Sequence, residues 1–130
     1  MKVLLIFCLI LRTHAFGQEK EVPEIVYKEV DENAEFPGGM KAFKLFITEN
    51  LKYPESGLEI GAEGNCYLQF VVAKDGTIKD VKVRHGIIDC PECDAEAVRL
   101  LKSTPKWQPA KVKGENVSSS FYLPITFRLP

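Results

Sequence analysis

Apolar residues recur at two different spacings along this 130-residue chain, and the change from one to the other marks out its elements. Met40, Phe43, Phe46, Ile47 and Leu51 follow one another by threes and fours, the period of a helix with one buried stripe. Lys41, Lys44, Glu49 and Lys52 fall off that stripe. Phe36-Pro37-Gly38-Gly39 punctuates the start. Tyr53-Pro54 ends the helix, because a residue before proline avoids the α region. Gly57, Gly61 and Gly64 then read as a loop with tight turns.

From Cys66 the period becomes two. Cys66, Leu68, Phe70 and Val72 face one way, and Tyr67, Gln69 and Val71 the other. Asp75-Gly76 is a strong hairpin signal, so residues 78–84 are the returning strand, with Val81 and Val83 on one face. Asp94 is placed to cap a second helix over residues 95–103, with Ala97, Val98 and Leu101 inward and Pro105 as its stop. After a turn at Lys113-Gly114-Glu115-Asn116 comes the clearest alternation in the chain. Val117, Ser119, Phe121, Leu123, Ile125, Phe127 and Leu129 share one face of a last strand. Pro124 lies inside this run, and a proline cannot donate to a ladder, so the strand is expected at a sheet edge. The predicted fold is α+β in the order α-β-β-α-β, a small three-stranded antiparallel sheet packed against two helices.

The N-terminus is read as an address. Lys2 precedes nine apolar residues, 3–11, and small residues follow at Thr13, Ala15 and Gly17. That is the layout of a secretory signal over residues 1–17. Nine residues rising about 1.5 Å each cover roughly half of a ~30 Å hydrocarbon core, so a membrane span is not expected. Phe7 before Cys8, and the short distance from Lys2, argue against a lipoprotein signal. Cleavage removes Lys2 and Arg12 and leaves an exported chain with a net charge of −3. Residues 18–35 are expected to be a flexible lead-in, and residues 36–130 the single domain. With 17 basic against 18 acidic residues, the chain lacks the basic excess of a nucleic-acid binder.

Six pieces in order resemble the C-terminal domain of the TonB energy-transducer family in its Bacteroidetes-like form. They are Phe36-Pro37-Gly38-Gly39; Tyr53-Pro54 with Gly61 and Gly64; and Tyr67-Leu68-Gln69-Phe70-Val71-Val72 running into Asp75-Gly76. Asp94-Ala95-Glu96-Ala97, Pro105-Lys106-Trp107-Gln108-Pro109 and Leu123-Pro124-Ile125-Thr126-Phe127 complete the series. The resemblance implies a periplasmic module that binds the TonB box of outer-membrane receptors as an added strand beside the last strand. It implies partner-binding residues at Val117, Ser118, Ser119, Ser120, Phe121, Tyr122 and Thr126. Full transducers also carry a membrane anchor and a long Pro-rich spacer. The 18 residues before Phe36 hold no Pro-rich run, which adds an anchored inner-membrane partner to the expected partners. Self-association into a homodimer through the same edge is the other expected use.

Cys90-Pro91-Glu92-Cys93 competes with this reading. A thiol-disulfide site would need a βαβ context and an electropositive surround, whereas Asp89, Glu92 and Asp94 are acidic. A zinc site would need further ligands, and only Cys66, His85 and Asp89 are on offer. A disulfide between Cys90 and Cys93 suits an exported protein, though Cys66 leaves other pairings open. No nucleophile–base pair, paired carboxylate site or phosphate-cradling loop is present. The chain is therefore read as a non-enzyme without metal or cofactor. The alternative is a periplasmic thiol-disulfide protein using Cys90 and Cys93.

Overall fold

The computed structural model describes residues 24–130, so the signal expected over residues 1–17 lies outside the described residues. The elements run β1 (Val26–Tyr27), α1 (Gly39–Asn50), α2 (Glu55–Ile60), β2 (Gly64–Val72), β3 (Ile78–His85), α3 (Pro91–Lys102), β4 (Ala110–Val112) and β5 (Glu115–Phe127). The strands order as β1-β5-β2-β3, with β4 also paired to β5. The expected antiparallel trio is its centre, β3-β2-β5. Two short strands and the helix α2 are added to it.

The period-two segments fold as their pattern demands. Leu68 lies opposite Leu123, Phe70 opposite Phe121 and Cys66 opposite Ile125. Apolar side chains thus meet in cross-strand pairs on one face. Phe43 of α1 and Ala97, Leu100 and Leu101 of α3 close that face, and all of them are buried. Trp107, 3% exposed, stands at the centre of this packing. Its ring centroid lies 5.5–5.8 Å from those of Phe36, Phe43, Phe70 and Phe121. The indole N–H donates to Thr104 Oγ1 at 3.0 Å, so the one polar atom of the side chain is satisfied. At the hairpin, Asp75 Oδ1 accepts from Thr77 N, and Gly76 sits at φ 90°. A Cβ on Gly76 would lie 2.3 Å from the Trp107 carbonyl oxygen, so the turn residue is also a packing residue.

Four expectations need correction. The second helix begins at Pro91, with Cys90 as its N-cap, and not after Asp94. Proline suits the first helical turn, whose N–H has no helical partner. Asp94 lies one turn inside, where its Oδ1 accepts from Ile87 N at 2.8 Å. The glycine-rich loop contains α2, which ends on Gly61 at φ 65°. In α2 the glycine at 57 serves close packing, because a Cβ there would stand 2.9 Å from Cys93 Sγ.

The returning strand β3 is broken by two register shifts against β2. Val81 packs against the core, while Val83 is left 40% exposed. Nor is the lead-in free from Glu24 onward. β1 pairs with Ser118 and Ser119, and Glu32 and Glu35 bridge to Lys111 and Gln108. Its burial explains this, since Ala34 is 3% exposed and Phe36 is 8% exposed.

A clamp built on the buried Glu96 carboxylate and the half-exposed Arg99 joins the helices. Glu96 accepts from Lys52 N at 2.7 Å and from Arg99 Nε at 2.6 Å, and Arg99 also donates to the Asn50 carbonyl. Burial pushes the Glu96 carboxyl upward, but the bonds from Arg99 and Lys52 N–H outweigh it and hold it below the usual range. A carboxyl lowered in the folded state contributes stability above its unfolded pKa, and that contribution fades as pH falls through the folded value. Denaturation midpoints should therefore fall as pH drops below about 4.3, the ordinary glutamate value. The Glu96→Gln variant should show a shallower acid dependence. Parallel pH profiles of the two proteins would count against the clamp.

Candidate docking edge

β5 is the longest strand, and its two edges are used differently. β2 pairs with it continuously from Gly64 opposite Phe127 to Val72 opposite Ser119. At the start of β5, β4 pairs with Glu115, Asn116 and Val117, and β1 runs parallel beside Ser118 and Ser119. Along residues 120–127, no strand among the described residues lies on the side away from β2.

Pro124 sets the direction of the unpaired groups. It lies opposite Tyr67, and a proline cannot complete the paired N–H···O bonds of a hydrogen-bonded position. Its nitrogen therefore faces outward. The register with β2 is uninterrupted, so Ser120, Tyr122 and Thr126 share that parity and present their N–H and C=O groups outward as well. The opposite sheet edge is β3, which carries two irregularities and exposes Lys79, Asp80, Lys82 and Arg84. Bulges and charges of that kind blunt an edge against further pairing. Among the described residues, the long edge left both unpaired and unblunted is that of β5 over residues 120–127.

The residues expected to bind a partner divide accordingly. Val117 is paired to Ala110 of β4, and Ser118 and Ser119 are buried with their edge already taken by β1. Ser118 Oγ accepts from Lys74 N at 3.0 Å and donates to the Glu24 carboxylate, which also binds Lys79 Nζ. These three residues thus hold the chain's own strands. Ser120 is half-buried, with Gln69 Nε2 donating to its Oγ at 3.4 Å. Phe121 turns inward, 5.5 Å from Trp107. Tyr122 is 57% exposed and stacks on Tyr67 at 5.7 Å. Thr126 is exposed and donates to Asn65 Oδ1 at 2.7 Å.

Sequence reasoning missed the wall beside this edge. A groove of about 620 Å³ runs between α1 and β5, with Met40, Lys44 and Ile47 on the helix and Leu123, Pro124 and Arg128 on the strand side. The helical spacing puts Met40 in the core stripe, yet it is 52% exposed. The spacing of 40, 44 and 47 was the available signal, since it describes a second stripe beside the buried one.

The described cysteines form no reactive centre. Cys90 and Cys93 are joined in a disulfide, and their exposures are 1% and 0%. Cys66 is a buried free thiol. Burial first, and then the charge and hydrogen bond of Asp94, push it up to about 12. Thiol exchange requires an accessible thiolate, so the thiol-disulfide alternative is overturned by this burial. His85 stands exposed at the end of β3 against the Tyr67 ring. Among the described residues, no group of three or more His, Cys, Asp and Glu side chains is arranged to hold a metal, and no helix is long and apolar enough to cross a membrane.

The profile of the family described as Gram-negative bacterial TonB protein C-terminal matches residues 49–129. The chain belongs to the TonB C-terminal family. The solution structure of the Helicobacter pylori TonB C-terminal domain (its residues 179–285) shows the same fold, with a TM-score of 0.50 and 20% identity. That match covers 70% of this chain and 80% of the other. No curated protein matches the chain significantly. TonB C-terminal domains are non-enzymatic interaction modules of the Gram-negative periplasm that engage outer-membrane receptors and take part in energy transduction. A TonB-type domain is therefore what the α+β architecture serves here.

Proposed function

We propose that this TonB-type domain works in the periplasm, exported by residues 1–17, and docks an extended segment of an outer-membrane receptor along residues 120–127 of β5. The open edge beside an already occupied stretch is the observation that carries the reading. Unpaired N–H and C=O groups accept any extended backbone, and alternate side chains choose among partners. Each added bond nets about 0.5–1.5 kcal/mol, so a handful of them makes docking reversible. Reversibility suits a transducer that must release its receptor.

A titration of the isotope-labelled protein with a synthetic TonB-box peptide tests this. Backbone amide shifts should concentrate between residues 120 and 128, with Ser118 and Ser119 moving less because β1 covers them. Saturating peptide that leaves these amides in place would remove the docking role and leave the fold intact.

A further inference from the structure

Resting on the docking reading above, we propose that β1 is a strap laid over the start of the chain's own docking edge. It confines a short bound strand to residues 120–127 and peels away for one long enough to reach Ser118. Val26 pairs with Ser118 and Tyr27 with Ser119, in parallel, on the side of β5 away from β2. By the parity set at Pro124, Ser118 points its N–H and C=O to that side. A strand docked along residues 120–127 therefore meets β1 end on, and Ser118 serves one or the other.

The strap is lightly held where it lies on β5. Only two of its residues are paired. Ile25 is 72% and Val26 38% exposed, so little apolar surface leaves water there. Its clasp is the Glu24 carboxylate, bonded to Lys79 Nζ and Ser118 Oγ on the sheet face away from the helices. Both charged side chains are partly exposed, and exposed pairs contribute little. Downstream the same segment is fixed. Asp31 N donates to the Lys111 carbonyl at 2.9 Å, and Asp31 Oδ2 accepts from Lys113 N at 2.7 Å. Glu32 and Lys111 exchange backbone bonds in both directions, and Ala34 and Phe36 are buried. Between the two stretches the chain bends at the exposed Lys28 and Glu29. Opening therefore ends at Asp31 and leaves the core closed, a local event far less costly than unfolding.

The test compares capped peptides of alternating valine and threonine, one of six residues and one of twelve. At about 3.4 Å per residue the first spans roughly 20 Å and fits within residues 120–127, whereas the second overruns them. Two variants loosen the strap. Glu24→Lys sets like charge against Lys79, and Tyr27→Pro removes an N–H that the strap gives to β5. Neither side chain belongs to the core, and circular dichroism checks folding. In both variants the Ser118 amide should exchange its hydrogen at least about tenfold faster, with Leu68 and Leu123 unchanged. Fluorescence polarisation should show the long peptide binding about three- to tenfold more tightly to the variants than to the parent protein, and the short one within about twofold. Saturating the parent protein with the long peptide should move the amides of residues 25–27 toward their positions in free Glu24→Lys. The short peptide should leave them in place.

Equal binding of the long peptide to parent and variants, with amide shifts still on residues 120–128, would overturn the strap and leave edge docking standing. An equal gain for both peptides would overturn Ser118 as the boundary. Ser118 exchange that stays at the parent rate in both variants would overturn Glu24 and Tyr27 as the hold on β5. Failure of both peptides to move residues 120–128 in any of the three proteins would remove the docking reading, and the strap's role with it.

Discussion

Truncating Trp107 to alanine should destabilise the protein by about 3–5 kcal/mol, the range for removing a large buried aromatic. Four rings surround this indole within 5.8 Å, drawn from the segment leading into α1, from α1 itself, from β2 and from β5. Among the described residues, no other ring has four aromatic neighbours. The cavity would lie where helices and sheet meet, and neighbours contributed by four segments cannot all collapse into it. Total stabilities of about 5–15 kcal/mol leave little margin for such a loss. Urea denaturation measures it. A loss below about 1.5 kcal/mol would mean that the aromatic cluster relaxes around the void, and that the core is organised elsewhere.

Ser120→Pro should weaken docking of a receptor-derived peptide by about tenfold or more while the domain stays folded. It removes one outward donor, worth about 0.5–1.5 kcal/mol, and sets a ring where the partner backbone must approach. Phe121→Pro is the paired control. Its N–H faces β2 by the same parity, so the substitution should cost about 3 kcal/mol or more of stability. Denaturation midpoints and peptide titrations of both variants separate the two effects. A folded Ser120→Pro protein that binds peptide unchanged would place the site elsewhere. An unfolded Ser120→Pro beside a folded Phe121→Pro would show that the parity runs the other way.

The parts of the fold legible in the chain are those written in local periodicity. The alternation from Val117 to Phe127 predicted both the strand and its buried face, because side chains on a strand have no choice but to alternate. Asp75-Gly76 located the hairpin for a similarly local reason, and Pro124 identified an edge because it lacks an N–H. Two signals compete at the start of α3, and the periodicity alone favours the later one. Asp94 is a good cap, but Pro91 after a buried, disulfide-bonded Cys90 begins the helix one turn earlier.

Local patterning carries the α+β class, the three-stranded antiparallel centre, the open strand and the resemblance to TonB C-terminal domains. How much of that strand stays open is set by tertiary contacts. Whether Glu24 through Tyr27 lies on β5 depends on contacts between residues about 90 positions apart, such as Glu24 with Ser118, and no local pattern encodes these. Nor does the helical stripe of α1 reveal that Met40 and Lys44 border a groove, since periodicity names a face without naming its neighbour. Local hydrophobic order fixes what each segment can become. The packing of distant segments then decides which of its hydrogen-bonding groups and charges are left for a partner.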